Sequence, residues 1–583
     1  MLARSSMMRA RAAAAAARPV SFKRDARRAF SPTATTILNQ GAQAQQQKAA
    51  PEAGQEVFQA HFETVKSSFD PVVRETKEKI DWTSPETYAA VTRPPHQAYT
   101  LSPETYESEE FYEVEKERVW GKSWVCIGLA DQIRQAGDTI TAELAGQPIF
   151  AVRDKSGKLN GFRNVCRHRG SKLVRKDGRY PVISCPYHRW GYALDGRLLA
   201  TPMWDTVEGG DRYDAKTGTF KESKNKTKAK KKQAAVGASG LTDEEAAAEV
   251  AEAEQRVIAS AAAAEKATAE AKASGACDQM ESIMQAFDTA HIDAFDKKDF
   301  SLFKVRVEQW GCFIFATLAS EEEVPPVETY LGDVAKQLES YDLESLVSVR
   351  EHKYDSKANW KLLAENFMEY YHLPSVHPAL CNVSRVDDHH REQGASMAVS
   401  FVTRPLTNGG TPIDPAVLPS FPGLAEDCKL TGVFHQLFPN IFYFLLPSHI
   451  FVVRLDPTSP TTTIEHANLL VHPSVIEDAA VKEETDILNA KIDAMFDFYD
   501  MTNREDIDIC EMVQEGVKNK SYRGGRVSFR FEETIHRFQN MLIDHMVGYP
   551  GRIPKGDKDI PFYIGGQCPA EAKNSIVNLE NNL

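Results

Sequence analysis

Four residues within one short stretch, Cys166, His168, Cys185 and His188, stand in two runs of the same make, Cys166-Arg167-His168 and Cys185-Pro186-Tyr187-His188. Each run offers one soft thiolate and one imidazole. That donor set suits a [2Fe–2S] cluster with cysteine on one iron and histidine on the other. Two neutral imidazoles in place of thiolates remove negative charge and raise the potential above that of an all-cysteine cluster. A structural zinc site would draw on the same residue types. Zinc fingers, however, group cysteine pairs before histidine pairs, and here the two alternate.

A second constellation lies in the run from Asn359 to Pro378. Continued as a helix, this run puts Glu365, Glu369 and His372 on one side, because residues three and four apart are neighbours. Pro374 is expected to disturb that helix and let His377 turn back towards the same point. Two imidazoles with one carboxylate from elsewhere make a facial triad for non-haem Fe(II), with positions left open for dioxygen. Asp506, in the run Asn503 to Glu511, is the candidate carboxylate, and Asp508 is second. By itself His372-x4-His377 beside a proline reads sooner as two hydrogen-bonded histidines in a helix–loop corner. In a chain that already carries a one-electron centre, an oxygen-activating iron supplies the destination for those electrons.

The elements that must position these residues can be sketched from periodicity. At 583 residues the chain exceeds one ordinary core and calls for about three units. From Trp124 to Phe162 short alternating runs punctuated by Gly and Asp read as strands, and Val305 to Phe315 resumes that pattern. Ser102-Pro103-Glu104 reads as a cap opening a helical stretch towards Trp120. Between 205 and 293 the sequence becomes low-complexity, with a basic run from Lys221 to Gln233 and an Ala/Glu/Lys-rich run from Leu241 to Ala273; it reads as an insertion that splits the last strands from the first. Beyond Pro325-Pro326 helical stretches alternate with apolar strands, and Glu483 to Val547 is helical in pattern. The expected architecture is α+β. Residues 101–204 and 294–320 form an all-β cluster-binding domain, and 321–560 form an antiparallel sheet with a long C-terminal helix. Residues 41–100 are expected to be an arm, and 561–583 a tail.

Composition narrows the function classes. With 42% hydrophobic and 26% charged residues and no apolar run of membrane-spanning length, a bilayer span is not expected. The net charge of −13 speaks against nucleic acid and suits a cationic substrate or a basic redox partner. Nine scattered cysteines, an odd number without framework spacing, fit a reducing compartment. Met1 to Arg24 has no acid, several arginines and an alanine run, and Arg28-Ala29-Phe30-Ser31 is similar to a mitochondrial processing site. Residues 1–40 therefore read as a transit peptide, for the mitochondrial matrix or, second, a plastid.

Asn164 to Gly170, Cys185 to Tyr192 and the run after them resemble the signature of Rieske oxygenases. With Asn359 to Pro378 added, residues 100–204 and 294–550 resemble the α-subunits of Rieske non-haem iron oxygenases. The group acting on quaternary ammonium compounds (choline, carnitine and glycine betaine) is the nearer likeness. Glu369, three residues before His372, and the runs Cys510 to Gly516 and Ser521 to Arg526 carry that part of the resemblance. It implies a helix-grip catalytic domain, a homotrimer with no separate β-subunit, and a role for Glu369 in bridging a cluster histidine of one subunit to the iron site of the next. The insertion departs from the family pattern, as does Arg189, where many members have glycine.

The implied activity is choline hydroxylation to betaine aldehyde. A betaine or carnitine oxygenase is an alternative, and so is an aromatic-ring oxygenase. A carrier that keeps the cluster but has lost oxygenase chemistry is the rival from another class. A trimethylammonium group calls for aromatic faces; Phe434, Phe438, Phe442, Tyr443 and Phe444 lie in the relevant strand region, and alternation should send about half of them elsewhere. His435, His449 and His466 lack ligand spacing and read as structural. With no dinucleotide-binding fingerprint, the electrons must come from a separate ferredoxin or flavin reductase.

Overall fold

Alternating apolar runs from Val125 onward form β1 (Val125–Leu129), β2 (Asp138–Leu144), β3 (Gln147–Arg153), β4 (Leu159–Arg163), β5 (Gly178–Arg179), β6 (Ile183–Ser184), β7 (Gly191–Tyr192) and β8 (Leu198–Ala200) in the computed structural model. It describes residues 79–201, 295–382, 386–404 and 418–557, together with the backbone of two short strands, β9 (Tyr213–Asp214) and β10 (Thr219–Phe220), which pair with each other. Residues 1–40, the first part of the expected arm (41–78), the rest of 205–293 and the tail 561–583 lie outside the described residues.

After the gap, β11 (Lys304–Trp310) and β12 (Phe313–Thr317) return to the middle of the first sheet, whose order is β1-β12-β11-β4-β3-β2-β5. Val305 pairs with Gly161, and Val125 with Ala316. Gly161 is needed at this junction: a Cβ there would meet the Val307 side chain and stand 2.7 Å from the Val305 carbonyl. β6, β7 and β8 form a small separate sheet. The two cluster loops rest on a core of their own, built from Phe150, Phe162, Trp190, Tyr192, Leu198 and Leu302.

The second large sheet is antiparallel, in the order β13-β19-β18-β17-β16-β15-β14. Its strands are β13 (Val347–Ser356), β14 (His389–Arg391), β15 (Ala398–Thr403), β16 (Gly432–Leu437), β17 (Ile441–Leu446), β18 (His449–Ser459) and β19 (Thr462–Val471). Runs such as Ile441-Phe442-Tyr443-Phe444 are apolar on both faces because both faces are covered. Five helices matter here: α1 (Glu109–Glu115), α2 (Trp360–Met368), α3 (Leu373–Val376), α4 (Thr485–Gly516) and α5 (Glu533–Met546). The helical tail is thus two helices, interrupted between Gly516 and Glu533. No described helix is long and apolar enough to cross a membrane.

Two sequence expectations change. Ser102 makes no side-chain capping bond; Ser108 does, accepting from the Phe111 amide at 3.2 Å. Residues 79–100 are not a loose arm: Trp82, Tyr88 and Val91 are buried in the main core, and the Val91 and Arg93 carbonyls meet His536 of α5. Asn440, fully buried, joins the two sheets, accepting from the Cys126 amide and donating to the Cys126 and Leu455 carbonyls.

Candidate active site

The two cluster loops converge as paired thiol–imidazole arms. Cys166 and Cys185 are buried, and the His168 and His188 rings lie 4.6 Å apart, nearly edge to face. Trp190 stacks on His168 at 4.8 Å. The Tyr192 hydroxyl lies 3.4 Å from Cys166 Sγ and accepts from the Arg167 amide. His188 Nδ1 is buried with no hydrogen-bond partner among the described residues. An iron bond there would satisfy that nitrogen, so the donor set fits a two-cysteine, two-histidine [2Fe–2S] cluster.

The second site forms where α2 ends. Asn359 caps the helix, accepting from the Lys361 amide at 2.9 Å. The helix stops at Met368, and Glu369 turns extended (φ −117°, ψ 155°). Pro374 does not bend this helix; it sits in the first turn of the new one-turn helix α3, where its missing N–H costs nothing. His372 and His377 bracket α3, with rings 5.1 Å apart. Because α2 ends early, Glu365 does not share a face with His372. It is buried elsewhere, accepting from the Tyr106 hydroxyl at 3.0 Å and from Gln539 at 2.9 Å.

α4 completes the group. Its Asp506 Oδ1 lies 2.8 Å from His377 Nε2 and 3.4 Å from His372 Nε2, and one donor atom from each residue falls within 4.8 Å of the others. Asp508, two residues on and round the helix, is exposed. Each histidine is held from behind by a carboxylate: Glu369 meets His372 Nδ1 at 2.5 Å, and Glu505 meets His377 Nδ1 at 2.7 Å. Both Nε2 atoms are thereby aimed at Asp506. Burial works against an imidazolium at His372, but Asp506 and Glu369 outweigh it and lift its pKa to about 9. Burial would raise Asp506, yet the two imidazoles hold it low. This strong preference for positive charge beside a carboxylate is what a divalent cation would satisfy.

Glu505 escaped the sequence reading, although its place beside Asp506 could have suggested it. Carboxylates that orient metal-binding imidazoles are worth about 10–100-fold in metal affinity. Glu505→Ala is therefore expected to weaken iron binding by about that factor, read by chelator competition, with the cluster absorbance unchanged.

A cavity of about 110 Å³ adjoins the triad. Phe434, Phe442 and Phe444 line it. Tyr443, on the opposite face of β17, bonds His435, and Phe438 packs on Phe538 and His545. Phe367, Phe401, Phe451, Phe498, Tyr499 and His389 also line it and went unnoticed in the sequence. Asn503 and Asp506 line it as well, and with Tyr499 these α4 residues follow helical spacing, at i, i+4 and i+7. Glu465 is buried in the wall, accepting from Ser356 and Asn503, and burial pushes its pKa up to about 7. His449 bonds Tyr499 at 2.7 Å, while His466 pairs with Asp456 at 2.9 Å.

Profiles of two families match: "Rieske [2Fe-2S] domain" at residues 123–209 and "Ring hydroxylating alpha subunit (catalytic domain)" at 343–548. The chain belongs to the Rieske oxygenase α-subunits, enzymes that hold a [2Fe–2S] cluster and a mononuclear iron and draw electrons from a separate protein. Among its relatives is the carnitine monooxygenase oxygenase subunit of Acinetobacter pittii, 23% identical over 77% of this chain and 96% of that one. The chloroplastic choline monooxygenase of Spinacia oleracea is 23% identical, covering 77% and 79%. A solved quaternary ammonium Rieske monooxygenase shares the fold, with a TM-score of 0.54 at 21% identity over 80% of this chain and 99% of that one.

Proposed function

We propose that this chain is the oxygenase component of a quaternary-ammonium monooxygenase, with choline its substrate and betaine aldehyde, formed as the hydrate, its product. The wall of the cavity carries this reading. Aromatic rings crowd the triad, and no lysine or arginine lines the cavity among the described residues. A trimethylammonium group accepts no hydrogen bond and is attracted to aromatic faces by about 0.5–2 kcal/mol per contact. Glu369 and Asp506 add negative potential. Carnitine and glycine betaine bring a carboxylate that would meet no cation on this wall, whereas choline brings only a hydroxyl. A cavity of roughly 150 Å³ takes a guest the size of benzene, which favours a small substrate over a polycyclic one.

His372, His377 and Asp506 are the proposed ligands of the mononuclear iron, and Cys166, His168, Cys185 and His188 those of the cluster. When bound, the two groups supply single electrons and oxygen activation. The surrounding residues do the rest. Glu369 and Glu505 fix the imidazoles through Nδ1, the aromatic walls hold the cation and exclude water, and Asn503 and Ser356 orient Glu465. Choline, dioxygen, two electrons and two protons give betaine aldehyde hydrate and water. In the proposed homotrimer Glu369, already bonded to His372, is the side chain that reaches a cluster histidine of the next subunit. Its removal therefore weakens iron binding as well as slowing electron delivery. The arginine-rich leader, free of acid as far as Arg24, supports an organelle matrix, mitochondrial before plastid; organelle import of a fluorescent fusion carrying residues 1–40 tests that.

Oxygen uptake with a generic reductase, across choline, glycine betaine, carnitine and benzoate, tests the substrate. Choline-dependent uptake with matching betaine aldehyde is expected. Uptake driven by carnitine or betaine alone would move the substrate within the class, and uptake driven by benzoate alone would overturn the class.

A further inference from the structure

Alternation along β19 sends Thr463, Glu465, Ala467 and Leu469 to the buried side of the strand, each 1% exposed or less. One acid thus stands in a row that is otherwise small or apolar. Burying a carboxyl is costly unless hydrogen bonds offset the loss of water, and a residue that breaks its local pattern in this way is expected where a site needs it. The cavity beside the triad is the place where this one comes to the surface of the protein interior: Glu465 forms part of its wall.

Glu465 is aimed as well as buried. Ser356 of β13 donates to Oε1 at 2.7 Å, and Asn503 of α4 donates to Oε2 at 3.0 Å. A carboxyl group offers about four lone-pair sites, so two donors leave about half of its capacity unused. Asn503 lies one helical turn before Asp506 on α4, and the Asp506 charge is felt at Glu465, which sets the carboxyl on the triad's side of the cavity. Other polar groups of the wall are already engaged: Tyr499 with His449 at 2.7 Å, His389 with Thr403 at 2.6 Å, and Thr502 with the Phe498 carbonyl at 3.1 Å. Asn366 also lines the cavity, from the last turn of α2, and is the rival partner for a bound polar group.

We infer that Glu465 receives the hydroxyl group of the substrate alcohol and is the residue that tells choline from a trimethylammonium compound without one. The inference rests on the choline reading above and deepens it, since the aromatic faces recognise only the cationic end that all the candidate substrates share. A hydroxyl both donates and accepts, and a carboxyl with unused capacity can answer it. With a substrate that lacks the hydroxyl, the buried carboxyl is left without that partner, and a site of this kind rejects such an analogue.

The test uses the full chain with both iron centres loaded and two probes, choline and n-propyltrimethylammonium, in which a methyl group stands for the hydroxyl. Affinities are measured anaerobically by calorimetry in the parent and in Glu465→Leu. The parent is expected to favour choline, and the variant to lose at least about tenfold of that preference while binding the propyl compound no more weakly. A smaller loss, or an equal loss towards both compounds, would overturn the inference and leave Glu465 a strut between β13, β19 and α4. A loss of preference in Asn366→Leu alone would overturn it too, moving the hydroxyl to that amide. A second measurement does not depend on the folding of Glu465→Leu. In the parent, the infrared carboxyl band that disappears in the near-isosteric Glu465→Gln is expected to shift when choline binds and to stay in place with the propyl compound; a band that choline leaves unmoved, or that both compounds move alike, would overturn the inference. A parent that oxidises carnitine or glycine betaine and not choline would overturn the choline reading together with this inference, whereas choline turnover with an unchanged preference in Glu465→Leu overturns this inference alone.

Discussion

Asp506→Ala lowers kcat/KM by about 10³-fold or more, a loss of about 4 kcal/mol in transition-state stabilisation, and takes iron from about three per chain to about two. Among the described residues Asp506 is the one carboxylate that meets both Nε2 atoms, at 2.8 and 3.4 Å. Without it two neutral imidazoles face a divalent cation with no charge to balance it, while the cluster loops, built on other strands, are untouched. The variant should therefore keep the cluster spectrum and reduce normally while failing to turn over. Asp508→Ala, exposed and turned away, should behave as the parent. Full iron and near-normal turnover in Asp506→Ala would remove the triad, and a large loss in Asp508→Ala would move it.

The largest effect on stability is expected at Lys361. Its Nζ lies 2.9 Å from Glu115 Oε1, both side chains are 0% exposed, and Trp360 Nε1 donates to the other Glu115 oxygen at 2.9 Å. Burial pulls the lysine pKa down while Glu115 pulls it up. Two charges taken from water are tolerated only as a pair, and removing one partner typically costs 3–5 kcal/mol. Lys361→Met should destabilise by about that amount in denaturant unfolding. Lys361→Met/Glu115→Gln should recover most of it, because no unpaired charge is left inside. A single variant as stable as the parent would mean that water reaches this site.

Glu365, close by, gives a pH signature instead. Burial raises its pKa from 4.5 to about 7, so the folded state holds a proton that the unfolded chain releases. Its contribution to stability is fully present below about pH 4.5 and is lost as pH rises to about 7, about 3 kcal/mol in all. Glu365→Gln cannot titrate. Relative to the parent, it should gain about that much stability between pH 4.5 and 7.5, as measured by denaturant midpoints; a constant difference across that range would refute the raised pKa.

Much of the candidate site was legible because its proposed ligands are local. Cys166 and His168, Cys185 and His188, and His372 and His377 each stand within five residues, so spacing alone groups them. Asp506 was reachable because it lies in a strongly helical run. What the sequence hid is set by tertiary convergence. The cavity walls come from all six strands β14 to β19 and from α2, α3 and α4, and no local pattern says that Phe401, Phe451 and Tyr499 meet. Glu365 was misplaced by continuing a helical period past Met368, where the chain turns extended. The Rieske sheet was legible in its strands but not in its order: the pairing of β11 with β4 depends on the return of residues 304–310 to Gly161 from far along the chain.

That return fixes an order of assembly. The loops bearing Cys166 and Cys185 leave the ribosome long before Phe295, Phe300 and Ser301, yet Trp190 packs on the two phenylalanines and Arg167 donates to the Ser301 carbonyl. Closing so long a span costs little at equilibrium, since closure entropy grows only slowly with length, but distant contacts delay folding. Iron–sulfur delivery must therefore meet a half-walled nest during synthesis or wait for the finished chain, and the number of residues between Thr201 and Phe295 sets how long that nest stays open.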